Sequence, residues 1–329
     1  MIVILSTLNG EQRLREMLES LCRANLPKGV RFHIVDNGST DGTFAMIESF
    51  RNRLPITLYS QPLRGKNNCL NLVIESVCKG LAPDELVVFT DDDILPGSDW
   101  LNELQSAGDA HPDRDVFAGR ILPHWPAADL EHLEPVRQHF GVLFTLTSHR
   151  EGPVECALAW GPNMAVRAKI FQAGYRFDPR FGPNGTSGYP MGSETELMER
   201  LDKAGHLAWF AERASVRHQI RPSQLEAACV VQRAFRHGYG AGWREQRKGG
   251  LWRLLFCQWV AVRGIVAAQI RKSVSSRSQH ILHDYHEAWA RGLSSGSLFG
   301  YRTARRQAEA SAHEQYLDAN AEAEAKLTI

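Results

Sequence analysis

Over its first 120 residues the chain alternates short, β-rich apolar runs with stretches of helical period, and this alternation constrains the fold more than any other feature. The strands read as Ile2–Leu5, Arg31–Val35, Ile56–Tyr59 and Leu86–Thr90. Between them, Glu11–Cys22, Thr43–Arg51 and Asn67–Lys79 read as helices. Strand, helix and strand in succession imply a parallel sheet covered by helices. Leu14, Leu18 and Leu21 recur at helical spacing, and Asp41 and Ser98 stand just before the helices they would cap.

The stretch from Pro123 to Pro153 loses any clear period and reads as a linker or an insertion over a cleft. Val154–Leu158 and Asn163–Val166 read as strands, Gly182–Gly192 as a long loop, and Glu194–Ala204 as a helix. Ala208–Ala211 and Ala214–Arg217 follow as two short strands, and after Pro222 the pattern is almost wholly helical. The apolar run at the N-terminus is too short for a signal sequence and reads as a strand. Leu251–Ile270, the most apolar later stretch, is interrupted by Arg253, Gln258, Arg263 and Gln269 and is not expected to span a bilayer. Six cysteines, far apart and without a Cys-x-x-Cys pair, fit a reduced, cytoplasmic compartment. With 38 basic against 37 acidic side chains, the chain lacks the basic excess of a nucleic-acid binder.

Polar chemistry gathers at strand ends. Asp91-Asp92-Asp93 follows the apolar run ELVVF, and three successive carboxylates are tolerated where a cation neutralises them or water solvates them. The residues admit two readings: a site for a hard divalent ion, or a solvated acidic turn leading into the next helix. Val35-Asp36-Asn37-Gly38-Ser39-Thr40-Asp41-Gly42-Thr43 closes the second strand and opens a helix. It is either a ligand-binding strand end facing the same crevice or a plain turn. It matches neither a P-loop nor a dinucleotide-binding turn.

Taken in order, these motifs resemble the family 2 glycosyltransferases, inverting enzymes with the GT-A fold. The resemblance covers roughly residues 1 to 240 and rests on Ser6-Thr7-Leu8-Asn9, Val35 to Thr43, Arg64-Gly65-Lys66-Asn67 and Asp91-Asp92-Asp93. It continues through Gly161-Pro162-Asn163-Met164-Ala165-Val166-Arg167, which resembles an acceptor-side strand, and through Gly192 to Leu197 with Arg200 and Gly205. The resemblance implies a mixed, mostly parallel sheet with covering helices over residues 1–245, with 1–120 holding the nucleotide and 121–245 the acceptor. A helical C-terminal region, 246–329, follows.

The resemblance also implies roles. Thr7, Asn9, Asp36, Asn37, Lys66, Asp91 and Asp92 would line the nucleotide-sugar site, and Asp93 with His218 would hold Mg2+ or Mn2+. Lys66 reads equally as a solvated loop lysine, and His218 as a polar strand end. Glu194 would be the general base, although Ser193 stands where the family has its first acid. Glu196 reads as a solvated helix residue. Arg233 and Arg236 read as a basic helix face or a phosphate clamp, and His280, His283 and His286 as solvated. Asp36, as an acceptor for a uracil or thymine imide, favours UDP or dTDP over GDP.

The acceptor would be a hydroxyl of a glycan or lipid-linked molecule, in surface polysaccharide synthesis of the bacterial type. Leu251–Arg271, with Trp252 and Trp259 among basic residues, has the composition of a helix lying on an anionic membrane surface, or else packs on protein. The first would make the protein peripheral on the inner face of the membrane. The rival functions are a non-catalytic sugar-nucleotide or glycan-binding module of the same fold, and a nucleotidyltransferase.

Overall fold

A computed structural model describes residues 1–186, 188–246 and 250–327, with 308–327 described by backbone alone. Of the loop expected over Gly182–Gly192, residue 187 lies outside the described residues. The chain divides into two compact units, Met1–Val230 and Val231–Ile329.

The first unit contains β1 (Ile2–Thr7), α1 (Glu11–Arg23), β2 (Arg31–Asp36), α2 (Thr43–Ser49), β3 (Ile56–Ser60), α3 (Lys66–Val77) and β4 (Leu86–Phe89). It continues with β5 (Ile94–Pro96), α4 (Trp100–Ala110), β6 (Val116–His124), α5 (Phe140–Phe144), β7 (Gly152–Val154), β8 (Met164–Arg167), α6 (Ala168–Gln172), α7 (Ser193–Lys203) and β9 (Ala208–Gln219). One sheet runs in the order β3-β2-β1-β4-β8-β6-β9-β5, with β7 on β9. The half from β3 to β4 is parallel, and β8 joins it antiparallel. The chain builds outward from β1 through β2 to β3, then returns on the other side of β1 as β4. A parallel sheet opens a crevice beyond the carboxyl ends of its strands at such a reversal, here beyond Thr7 and Phe89.

Strand alternation sends β1 into two cores. Val3 and Leu5 pack with Leu14, Met17, Leu18 and Leu21 of α1, a stripe at helical spacing. Ile2 and Ile4 pack on the other face with Leu70, Val73 and Ile74 of α3 and Leu197, Met198 and Leu201 of α7. Asp41 does receive a helix donor, the Thr43 amide at 3.1 Å, from one position outside Gly42. Ser98 does not cap: Asp99 occupies the N-cap, and the Ser98 hydroxyl donates to its carboxylate at 2.7 Å.

Two expectations beyond residue 120 are corrected. Val154–Leu158 is not one strand, because β7 ends at Val154 and a 3-10 turn covers Cys156–Leu158. The two short strands at 208–217 are one strand, β9, whose register with β6 shifts at Gly119/Arg120. The stretch 123–153, without clear period in the sequence, holds a 3-10 helix at Glu131–His139 that leads into α5.

Arg167, which the sequence places in an acceptor-side motif, is instead a buried strut. It donates to the carbonyls of Arg114, Asp84, Gly108 and His111 at 2.6 to 3.1 Å. Asn163 is likewise buried, bonding the Arg120 and Ala214 carbonyls and accepting from the Trp100 indole. Replacing Arg167 by Leu removes four hydrogen bonds to carbonyls, of which that to Gly108 is fully buried, and should cost about 3 kcal/mol, read as a lower urea midpoint. An unchanged midpoint would show that those carbonyls find other partners.

His33, buried on β2, has Nδ1 3.0 Å from the Tyr59 hydroxyl, and burial with Arg31 nearby pushes it down to about 4. It folds neutral, whereas an unfolded histidine takes up a proton near its ordinary value of 6.5. Its contribution to stability is therefore present above pH 6.5 and lost as pH falls to about 4. The stability difference between wild type and His33→Gln should drift against wild type across that window and level below it. A difference that does not change with pH would refute the burial argument.

The second unit is helical: α8 (Ala227–Gln246), inside which the division falls, α9 (Leu251–Val274) and α10 (His280–Leu327). His283 is buried rather than solvated, and His280 and His286 are half-buried. Arg233 and Arg236 are also half-buried. Helical period marked which residues share a face; packing of the second unit decided which face is covered.

Candidate active site

Beyond the carboxyl ends of β1, β2 and β4 the three successive aspartates part company, each facing a different basic side chain. Asp91 accepts from Lys66 Nζ at 2.6 Å, and the same Nζ lies 2.7 Å from Glu194 Oε1. Asp92 takes a two-pronged bond from Arg13, with Nε at 2.9 Å and Nη2 at 2.8 Å, and a further bond from the Thr7 hydroxyl. Asp93 faces His218, whose Nε2 stands 3.3 Å away while Nδ1 lies 2.6 Å from the Phe144 carbonyl. The Phe144 contact implies that Nδ1 carries a proton, which turns Nε2 toward Asp93.

The sequence spreads these groups over more than two hundred residues, and the sheet reassembles them. Lys66 opens α3 and Glu194 lies in the first turn of α7. His218 lies near the end of β9, which pairs with β5 immediately after Asp93. Gly161 lies against the Lys66–Glu194 pair: a Cβ there would stand 2.3 Å from Glu194 Oε1 and 3.0 Å from Lys66 Nζ, so a larger residue would push the carboxylate from its present place. Lys66 is thus no solvated loop lysine, since its side chain is only 14% exposed.

The electrostatics follow from the count of charges. Four carboxylates, Asp91, Asp92, Asp93 and Glu194, face two permanent cations, Lys66 and Arg13, and one titratable group, His218. Burial pushes Asp91 up, and Asp93 and Glu194 add to it against the pull of Lys66. Burial likewise raises Asp92 against Arg13. Asp93 goes the other way: burial would raise it, but His218, with Arg221 and Arg13 at longer range, brings it down to about 2. Burial also works against the Glu194 carboxylate, and Lys66 and Ser193 overcome it, so Glu194 is ionised at neutral pH. The Ser193 hydroxyl donates to Glu194 Oε2 at 2.6 Å. His218 is raised, because Asp93 outweighs the burial that would keep the ring neutral.

Other expected residues take different parts. Asp36 is buried at the end of β2 and accepts from the Ser39 amide and hydroxyl. Asn9, in the left-handed region at φ 49°, accepts from the Thr40 amide and receives no contact from the aspartates. Asn37 is wholly committed to scaffolding: its amide donates to the Gln61 and Leu63 carbonyls, and its oxygen accepts from the Gly65 amide at 2.8 Å. It therefore fixes the loop that delivers Lys66. Glu196, expected to be solvated, is buried and bound by Arg200 Nε at 2.7 Å, away from the aspartates.

Arg13 was not legible as a site residue. A cation in the first turn of a helix opposes the helix dipole, and that was the available hint that a specific anion holds it. Among the described residues, no group of three or more His, Cys, Asp or Glu is gathered as a complete metal cage. Asp93 with His218 offers two donors side by side, a carboxylate and an imidazole, which suits Mn2+ when substrate phosphates supply the remaining oxygens.

The signature of the family described as Glycosyl transferase family 2 matches residues 2–174. The chain is 22% identical over 231 residues to the succinoglycan biosynthesis protein ExoA of Rhizobium meliloti (strain 1021), across 65% of this chain. It spans 62% of that relative's length. Among solved structures it is similar to the mannosyltransferase PcManGT from Pyrobaculum calidifontis in complex with GDP-Man and Mn2+, with TM-score 0.58 and 18% identity over 91% of this chain and 86% of that one. It is also similar to S. aureus TarS 1–349 in complex with UDP, with TM-score 0.50 and 15% identity over 92% and 91%. At these identities the structural likeness shows the fold, a GT-A type sheet with covering helices.

Proposed function

The chain belongs to glycosyl transferase family 2, and from that premise we propose that it moves a sugar, with inversion, from a nucleoside-diphosphate donor to a hydroxyl of a glycan or lipid-linked acceptor. The observation that carries the reading is the Asp91–Lys66–Glu194 ion triad, which ties a half-buried, ionised carboxylate to the first aspartate beyond β4. The likeness to a succinoglycan biosynthesis protein supports polysaccharide synthesis as the setting.

We assign the transferase chemistry to residues 1–245. Glu194 accepts the proton of the acceptor hydroxyl, whose oxygen attacks the anomeric carbon from the face opposite the leaving diphosphate. The carboxylate needs no prior deprotonation, because Lys66 and Ser193 keep it charged. Lys66 also offers a fixed positive charge beside the diphosphate position. Asp93 and His218 would hold a divalent ion, which supplies Lewis-acid stabilisation of the departing diphosphate when bound. Thr7 and Arg13 hold Asp92 in place, so its part is to shape the strand end.

The donor is read as UDP- or dTDP-linked, on the placing of Asp36 at the end of β2. A panel of UDP-, dTDP- and GDP-sugars, each with and without Mn2+, should show one nucleotide class hydrolysed slowly alone and faster with acceptor. GDP-sugar as the best substrate would overturn the base assignment. If no donor is consumed or bound, the transferase reading itself fails.

A further inference from the structure

One face of α9 leaves a run of large apolar side chains exposed. Leu255, Phe256, Trp259, Val262, Val266 and Ile270 project from it, each between 48% and 61% exposed. Its opposite face, with Leu254, Cys257, Ala261 and Ala268, is buried. A water-soluble bundle places its bulky apolar side chains inside and small or polar ones outside. Here the order of size is reversed.

The reason lies in how the helices of this unit meet. Gly238 and Gly242 of α8 and Gly292 and Gly296 of α10 bring two backbones together so closely that an added Cβ would stand 2.0 to 2.3 Å from main-chain atoms of the facing helix. Between α9 and α10, Gln258 donates to the Ser297 hydroxyl at 2.9 Å and accepts from the Ser294 hydroxyl at 2.6 Å. Small residues at the helix contacts, a polar clasp between helices and large apolar side chains outward is the arrangement helices adopt where lipid surrounds them.

We infer that α9 docks this unit on the surface of an anionic membrane, lying in the interface plane rather than crossing it. By length and composition α9 is sufficient to cross a bilayer, with a mean hydropathy of 1.4 in its most apolar stretch. Crossing is opposed by Arg263, exposed at the helix midpoint over the Trp259 ring, 4.5 Å from its centroid. It is opposed again by α10, which runs alongside with Asp284 and Glu287 in ion pairs. An in-plane helix sinks its apolar stripe to the acyl boundary and leaves charges among the headgroups. All four charged residues of α9 are basic; Arg253 and Lys272 pair with Glu245 and Asp284, and exposed Arg263 and Arg271 are the charges that select anionic lipid. This inference does not depend on the transferase reading.

Sedimentation of the full-length protein with phosphatidylcholine vesicles, with and without phosphatidylglycerol, tests it. The protein should pellet with the anionic vesicles, less at high salt, with a blue shift of tryptophan emission. Phe256→Glu with Val262→Glu should lower partitioning by at least about tenfold. Arg263→Glu with Arg271→Glu, which leaves the apolar stripe intact, should lower it for anionic vesicles alone. Either pair must melt where wild type does, and if the first fails to fold the second decides. Binding by both pairs at the wild-type level, or no binding of the wild-type chain to anionic vesicles at low salt, would overturn the inference.

Discussion

Glu194→Gln should lower sugar transfer by about 10²–10⁴-fold while nucleoside-diphosphate affinity stays close to wild type. Glutamine keeps the size and the hydrogen-bonding reach of the side chain but cannot accept the acceptor proton. The substitution removes one of the two carboxylates on Lys66; Asp91, at 2.6 Å, keeps the ammonium charged and in place. Donor binding should therefore survive, and a calorimetric titration with the nucleotide alone checks it. Glu196→Gln is the matched control: it breaks the buried pair with Arg200 and should lower thermal stability, with transfer by the folded fraction near normal. If Glu194→Gln transfers at the wild-type rate, the base is elsewhere. If wild type binds nucleotide sugars but transfers to no acceptor, the chain is a binding module and Ser193 marks the lost acid.

The parallel half of the fold was legible because burial on both faces writes itself into consecutive residues. Runs such as IVIL and LVVF need no distant partner to be recognised as buried strands. The polar turns after them were legible for the same local reason. What failed to show was decided by non-local contact. β6, β8 and β9 meet across long stretches of chain, and nothing near Ala208 announces that one strand runs through to Gln219. Lys66 read equally as a site cation and a solvated loop lysine until α7 delivered Glu194 to it, and Arg167 looked like a ligand-side arginine until four carbonyls converged on it. In both cases the residue type was visible and its partners were not.

Asp93→Asn should abolish the gain in nucleoside-diphosphate affinity that Mn2+ gives to wild type, and Asp92→Asn should not. The distinction comes from the counter-charge each aspartate already has. Lys66 holds Asp91 and Arg13 holds Asp92 by two bonds, both permanent cations. Asp93 has the imidazole of His218 at 3.3 Å, a group that gives up its proton to become a ligand. It is therefore the carboxylate a divalent ion recruits at least cost, the ion replacing the imidazolium charge that lowers Asp93 in its absence. Losing one of two protein donors should lower metal-dependent affinity by about a hundredfold, judged against a tenfold to hundredfold loss from outer-shell changes alone. Asp92→Asn takes the counter-charge from Arg13, which keeps only its bonds to the Leu8 and Asn9 carbonyls, and weakens the Thr7 bond, so its effect should fall on stability, read as a lower melting temperature with the Mn2+ response retained. Calorimetry of UDP and GDP with Mn2+ and with EDTA, on wild type and both variants, separates the outcomes. Equal wild-type affinity with Mn2+ and EDTA would remove the metal from the proposal, and an Mn2+ response lost in Asp92→Asn but kept in Asp93→Asn would transfer the ligand role to Asp92.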